Sequence, residues 1–374
     1  MSALQFKVNA ELDSARAGTL TFASGLEVLT PVFMPVGTQG TVKALSQSDL
    51  EELGYNLILG NCYHLLERPG LDVLEAMGGL GSFISWDKAI LTDSGGYQAF
   101  SLSNLSKLKE EGIEIRSALN GQKYFFSPEF VVEIQKTFRS NILMPIDDCA
   151  PYPSPAARLK EALDRTHRWL DRSKLHWEKL EMDHDQALFS IVQGGIDLGL
   201  RADSAKYATD LDLPGNAIGG LSVGEKGAEF REALQVSCEN LPNDRPRYLM
   251  GVGSVPEMMD AIKLGVDMFD CVLPTRNARN GQALTWDGKV NLRNQKHEKD
   301  GSPLDEQCTC RVCTRYSRAY LRHLHKADEI LASMLTSYHN LAFFKDLMAK
   351  IRESIHSGNW SSELEIVYQK YVSN

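Results

Sequence analysis

The 374-residue chain is 43% hydrophobic and 24% charged, with 29 Gly and 14 Pro. That is the balance of a globular enzyme-like protein and excludes a disordered, collagenous or fibrous one. The length exceeds a usual domain of about 100 to 200 residues, so it holds either two ordinary domains or one barrel-sized domain with an appendage. No stretch approaches the roughly 18 uninterrupted apolar residues of a membrane span, and MSALQFKVNAELDSARAG lacks the basic start and apolar run of a signal peptide, so the expected compartment is the cytosol.

In chain order, residues 4–30 alternate around the turn signals SARAG and ASG, which predicts an N-terminal hairpin closing the bottom of a larger fold. Eight short runs, apolar on both faces and ending in Gly or polar residues, then follow: VFMPVGT (32–38), NLILGNCYH (56–64), AILTDSGGYQ (89–98), ILMPIDDCAP (142–151), ALFSIVQGG (187–195), AIGGLSVG (217–224), RYLMGVGS (247–254) and MFDCVLPTR (268–276). Strands buried on both faces read this way. Helix-like stretches separate most of them, including SQSDLEELGY, SPEFVVEIQKTFRS, PAARLKEALDRTHRWLDRSKLHW and PEMMDAIKLG. Eight strands alternating with helices predict an α/β fold, a (β/α)8 TIM barrel. A doubly wound open sheet is the alternative, but no strand leads into a GxGxxG turn. Residues 101–126 interrupt the third unit with Asn120-Gly121 between alternating runs, an inserted hairpin expected to hang over the barrel mouth. A further hairpin, NGQALTWDGKVNLRN, a cysteine cluster and a long helical stretch from about Tyr316 follow the eighth run. The expected division is residues 1–276, barrel with hairpin and insertion, and 277–374, metal-binding insertion and the helices completing the barrel.

Seven cysteines, an odd number without a secretory signal, argue against a disulfide framework. Cys308, Cys310 and Cys313 crowd into six residues, the usual start of a closed structural zinc site that needs a fourth ligand, for which His323, His325 and His339 are the candidates. The net charge of −9 argues against a polyanion partner, but residues 271–326 hold eleven Lys and Arg against five acids, a local +6 that leaves −15 elsewhere. Any nucleic-acid contact therefore belongs to the C-terminal third.

In a barrel, chemistry sits at the C-terminal ends of the strands. Asp93 ends the third run, Asp147 and Asp148 the fourth, Gln193-Gly194-Gly195 the fifth, Gly219-Gly220-Leu221 the sixth and Asp270 the eighth. Two carboxylates across a pocket suit displacement at an anomeric carbon, one as nucleophile and one handling the leaving group's proton. Paired glycines admit a flat ligand, with Tyr97 and Met250 as candidate stacking surfaces. Spacing leaves open which of Asp93 and Asp270 attacks.

TDSGGYQ (92–98), the D-x-C of Asp147 and Cys149, QGG (193–195), GGLSVGE (219–225), YLMGVG (248–253), FDCVLPTRNARNGQA (269–283) and Cys-x-Cys-x2-Cys with SYHN (337–340) together resemble the bacterial tRNA-guanine transglycosylases, also called queuine tRNA-ribosyltransferases. The resemblance runs through nearly the whole chain. It implies a (β/α)8 barrel with a C-terminal zinc-binding insertion, working as a homodimer. It also implies a pentosyltransferase of queuosine biosynthesis that exchanges guanine at the wobble position of tRNAs with GUN anticodons (the Asp, Asn, His and Tyr tRNAs) for preQ1. Asp270 would be the nucleophile forming a covalent tRNA intermediate, and Asp93 the general acid/base. Asp147 would accept from the guanine-edge N–H groups, Gln193 and Gly220 would contact the carbonyl, Leu221 would line the aminomethyl end, and Tyr97 and Met250 would sandwich the ring. Arg276 and Arg279 would read the anticodon, and one zinc per chain would sit on Cys308, Cys310, Cys313 and His339. Val223 beside Leu221 matches the bacterial pattern and favours preQ1 over queuine.

Three other readings compete. A barrel glycosidase or nucleoside hydrolase would use two strand-end acids but has no need of a basic zinc unit. A non-catalytic tRNA-binding subunit would share the fold, yet Asp93 and Asp270 both stand in intact motifs. An archaeal-type enzyme would carry further C-terminal RNA-binding domains.

Overall fold

A computed structural model describes residues 2–96, 106–182, 184–225 and 227–373. Eight parallel strands close a barrel: Val32–Gly37, Leu57–Gly60, Ala89–Thr92, Ile142–Leu143, Ala187–Val192, Gly215–Ile218, Arg247–Leu249 and Met268–Cys271. Each falls within or overlaps one of the eight apolar runs. The ring closes where the eighth strand pairs with the first, Met268 opposite Val32 and Asp270 opposite Met34. The second, third, fifth, sixth and seventh strands are buried along their whole length, as a sheet with helices outside and a filled interior requires.

The interior is a layered packing of Met34, Leu59, Leu91, Met144, Phe189, Ile191, Tyr248 and Met268. Gly215 belongs to this packing, because a Cβ there would stand 2.4 Å from the Phe189 ring. The N-terminal segment is a three-stranded antiparallel sheet (Leu4–Leu12, Ala15–Phe22, Glu27–Thr30), one strand more than a hairpin. Leu4, Leu20, Phe22 and Val28 of that sheet join the interior cluster and plug the barrel at the N-terminal ends of its strands.

The insertion after the third strand is likewise three-stranded: Ser106–Leu108, Ile113–Arg116 and Lys123–Phe126, with Asn120-Gly121 in a six-residue connection closed by Ser117 N to Gln122 O. It is clamped to the helix Ala156–Lys179, where the Trp169 indole donates to Glu110 O and Arg168 pairs with the Glu110 carboxylate. Arg165 bridges Glu110 to Asp148 at the end of the fourth strand, so the inserted sheet is tied to the rim.

Beyond the eighth strand lie a short helix (Leu273–Arg279), a two-stranded hairpin (Gln282–Thr285 with Gly288–Asn291) and the cysteine segment. The long C-terminal helical stretch is three helices, Arg318–Lys326, Ile330–His356 and Ser362–Val372. Ile330–His356 returns to the barrel, where Phe344 meets Phe33 of the first strand with ring centroids 4.5 Å apart. None of the described helices is long and apolar enough to cross a membrane.

Candidate active site and metal centre

Asp93, Asp147 and Asp270 converge on the C-terminal rim. Asp93 follows the third strand. Its Oδ1 accepts from Cys62 N at 2.9 Å and Gly95 N at 3.2 Å, and its Oδ2 accepts from the Asn61 amide. Asn61 also caps the helix Cys62–Glu67 through its Oδ1, so a single side chain both starts a helix and orients the acid. Burial raises the Asp93 carboxyl to about 7; the two backbone donors and Asn61 pull it down, and the neighbouring charge of Asp270 pushes it up.

Asp270 lies inside the eighth strand. Both of its hydrogen bonds among the described residues fall on Oδ1, from the Tyr248 hydroxyl at 2.6 Å and Gly251 N at 2.7 Å. Burial raises its pKa, and these two donors oppose the rise. The two acids thus differ in kind: every oxygen of Asp93 is engaged, whereas Asp270 is held by one oxygen.

Asp147 is buried, and burial lifts its pKa to about 6. Its Oδ2 accepts from Gln193 Nε2 at 2.5 Å, and Gln193 itself is fixed by its backbone N–H to the Ser204 hydroxyl. Gly220 adopts φ +65°, and a Cβ there would stand 2.1 Å from Gln193 Oε1, so any side chain would be strained and would displace Gln193. Leu221 is buried beside it, and Met250 is half-buried over the interior cluster. Tyr97 lies outside the described residues. Asp148, named with Asp147 in the sequence, is held by Arg158 and Arg165 and so ties the rim to the helix outside it.

Arg276 and Arg279 occupy the last turn of the helix that follows the Asp270 strand. Arg276 is exposed; Arg279 is half-buried, and its Nη1 has no hydrogen-bond partner among the described residues.

The ligand atoms of Cys308, Cys310, Cys313 and His339 lie within 4.8 Å of one another. His339 Nδ1 stands 3.3 Å from Cys313 Sγ and 3.7 Å from Cys310 Sγ, close to the edge of a tetrahedron with bonds of roughly 2.0 to 2.3 Å. His339 Nε2 faces Leu284 O at 2.9 Å, which assigns its proton to that nitrogen and leaves Nδ1 as the ligand. His325 is spent on Thr336 and His323 is exposed, so neither joins the cluster. Three sulfurs and one imidazole nitrogen, all buried but the half-buried Cys310, can hold a metal ion.

Sequence reasoning missed Asn61 and Tyr248 at the rim, Arg201 in the helix Leu198–Asp210 behind it, and Asn340 next to His339. Asn61 was findable, since it closes the second apolar run as Asp93 closes the third. Asn340 accepts from Leu284 N and donates to Pro274 O and Gln282 O, bonds between distant segments that no local pattern announces.

A closed parallel barrel with three acids of raised pKa at the C-terminal ends of its strands is the framework of an α/β-barrel enzyme. The model of the family described as Queuine tRNA-ribosyltransferase matches residues 12–373. The chain belongs to this family, which makes it a pentosyltransferase. It is similar to the queuine tRNA-ribosyltransferase of Leptospira biflexa serovar Patoc, with 50% identity over 346 residues and 92% of each chain covered. The protein of that name from Caldanaerobacter subterraneus subsp. tengcongensis is 50% identical over 360 residues, covering 96% of this chain and 95% of its own. The one from Zymomonas mobilis subsp. mobilis is 47% identical over 369 residues, covering 98% and 95%.

Proposed function

We propose that the chain replaces guanine at the wobble position of GUN-anticodon tRNAs by preQ1, in the cytosol, through a covalent Asp270–ribosyl intermediate. The observation that carries the assignment is the contrast between the two acids. Asp270 Oδ2 is left for attack while Oδ1 is anchored, and Asp93, fully engaged, sits near neutrality in pKa where a proton donor and acceptor is needed. Asp270 Oδ2 attacks C1′ as the C1′–N9 bond breaks, and the departing purine takes its proton from Asp93. The incoming base returns a proton to Asp93 as its N9 displaces the Asp270 ester. Bonds made and broken match in kind, so no phosphate donor is required.

Asp147 accepts from the guanine-edge N–H groups, Gln193 and Gly220 meet the carbonyl, Leu221 and Val223 shape the aminomethyl end, and Tyr97 and Met250 stack on the ring. Flipping the base out of the anticodon requires a grip on the surrounding RNA. Arg276 and Arg279, one helix turn beyond the Asp270 strand, supply it as anticodon readers. The Cys308, Cys310, Cys313 and His339 set fits one structural zinc, whose contribution is to hold the segment between the hairpin and the helix Ile330–His356. In this reading residues 1–276 carry the chemistry, and residues 277–374 the RNA-facing unit with the helices that complete the barrel. The exposed apolar group Tyr320, Ile330, Leu331 and Met334 supports a homodimer.

The test is incorporation of labelled guanine into a GUN-anticodon tRNA by the purified protein. Asp270→Asn should lose both the exchange and the tRNA adduct on a denaturing gel while still binding tRNA. An adduct that persists on Asp270→Asn would transfer the nucleophile's role to Asp93.

A further inference from the structure

Behind Gly220 and Gln193 lies a cation that no acid matches among the described residues. Arg201, in the helix Leu198–Asp210, is 0% exposed. Its Nε donates to Gly195 O at 2.8 Å and its Nη1 to Val192 O at 3.2 Å, so two of its donors hold the turn that carries Gln193. Its Nη2 is buried and has no hydrogen-bond partner among the described residues. That nitrogen would be 3.4 Å from a Cβ on Gly220, which puts it directly behind Gly220 and Gln193. Among the described residues no carboxylate pairs with it. Glu225, whose charge does act on it, gives its two oxygens to Ser222 N and Val223 N, and the Asp147 carboxylate is taken by Gln193. Burial lowers the guanidinium to about 10, so it remains charged at neutral pH. An unpaired buried charge is costly to retain, and this one is retained directly behind Gly220 and Gln193.

We infer that Arg201 is an electrostatic positioning residue for base departure: acting through Gly220 and Gln193, its charge stabilises the negative charge that develops on the purine as the C1′–N9 bond breaks. This rests on the reading that Gln193 and Gly220 face the base carbonyl. Electron density leaving C1′ spreads over the purine to that oxygen, and a cation fixed behind the groups that bind it needs no reorganisation to respond. The effect belongs to the transition state and so to kcat, because the neutral base in the ground state offers the cation little to attract.

A leaving-group series separates this role from a structural one. The single-turnover rate of adduct formation is measured on tRNA carrying guanine, 8-azaguanine (a better leaving group, with an extra ring nitrogen) or 7-deazaguanine (a poorer one, with one fewer) at the wobble position. Arg201→Met should slow the guanine reaction by about tenfold or more with the tRNA KM changed less than twofold. The loss should be smallest for 8-azaguanine and largest for 7-deazaguanine, and Arg201→Lys should return the slope toward wild type. An equal loss on all three bases, or a loss confined to KM, overturns the inference. If Arg201→Met does not fold, Arg201→Gln, which keeps a donor for Gly195 O, carries the same comparison. A wild-type protein that forms no adduct on any base takes the proposed function down as well. A normal wild-type series beside variants with an unchanged slope removes only the role of Arg201.

Discussion

Asp147 and Gln193 hydrogen-bond one another, so a base that uses both must separate them. The Asp147 carboxyl is raised to about 6 by burial, and in the proposed role it would accept from two base N–H groups only when ionised. Guanine affinity should therefore be flat above about pH 7 and fall by about tenfold per pH unit below pH 6, while Asp147→Asn should bind weakly and without that dependence. Calorimetric titration across this range checks it; a wild-type affinity that holds at about pH 5 would remove Asp147 from base recognition. Asp93 gives the opposite limb. In the proposed role its proton is given to the departing base and is lost as pH rises through about 7, so the adduct rate should decline there. A second residue-scale expectation concerns Tyr248, whose hydroxyl holds Asp270 Oδ1. Tyr248→Phe removes that bond without changing shape, so kcat should fall by about tenfold with the tRNA KM little changed. A normal kcat would mean that Gly251 N alone positions the acid.

The helix Ile330–His356 joins the two ends of the chain. His339 faces the thiols, the adjacent Asn340 ties the hairpin strand at Leu284 to the start of the Leu273–Arg279 helix, and Phe344 packs on the first barrel strand. A metal held by this cluster would therefore be coupled to the segment that follows Asp270. Elemental analysis should find about one zinc per chain. Cys310→Ser should lose it and expose the region from the hairpin to Lys326 to limited proteolysis, since a structural metal contributes folding free energy directly. His339→Ala should lose metal and His323→Ala should keep it; the reverse would place the fourth ligand elsewhere. The inserted sheet makes the same point on a smaller scale. Its Asn120-Gly121 signal marked a turn but not the third strand, because Ser106–Leu108 is short and mostly polar and pairs only once Ile113–Arg116 lies beside it.

Across the whole molecule the basic charge of residues 271–326 is only partly free for RNA. Arg311 pairs with Asp49 and Glu52, Arg318 with Asp300 and Arg293 with Asp328, so part of the local +6 fastens the C-terminal region together and to the barrel. Arg276, Lys296, Lys299, Arg315 and Lys326 are exposed and hold no ion pair among the described residues. tRNA affinity should then fall with salt at a log–log slope of a few units while free guanine affinity stays level. Lys296→Ala with Lys299→Ala should lower the tRNA slope by roughly one unit for each phosphate that is no longer neutralised. A tRNA affinity indifferent to salt would show that the basic face has no part in binding.

The eight strands were legible because a strand buried on both faces must be short, apolar and stopped by polar or Gly residues, a constraint that acts within a few positions. The thiol trio and the rim acids Asp93, Asp147 and Asp270 were legible for the same reason, their chemistry being carried by residue type and near spacing. The choice of His339 over His323 and His325, the third strand of each small sheet, the clamp of Tyr248 on Asp270, and the guanidinium of Arg201 behind Gly220, without an ion pair among the described residues, were decided only by tertiary pairing. Each depends on which groups meet across 5 to more than 50 residues of chain, and on how much water is left beside a charge once they have met.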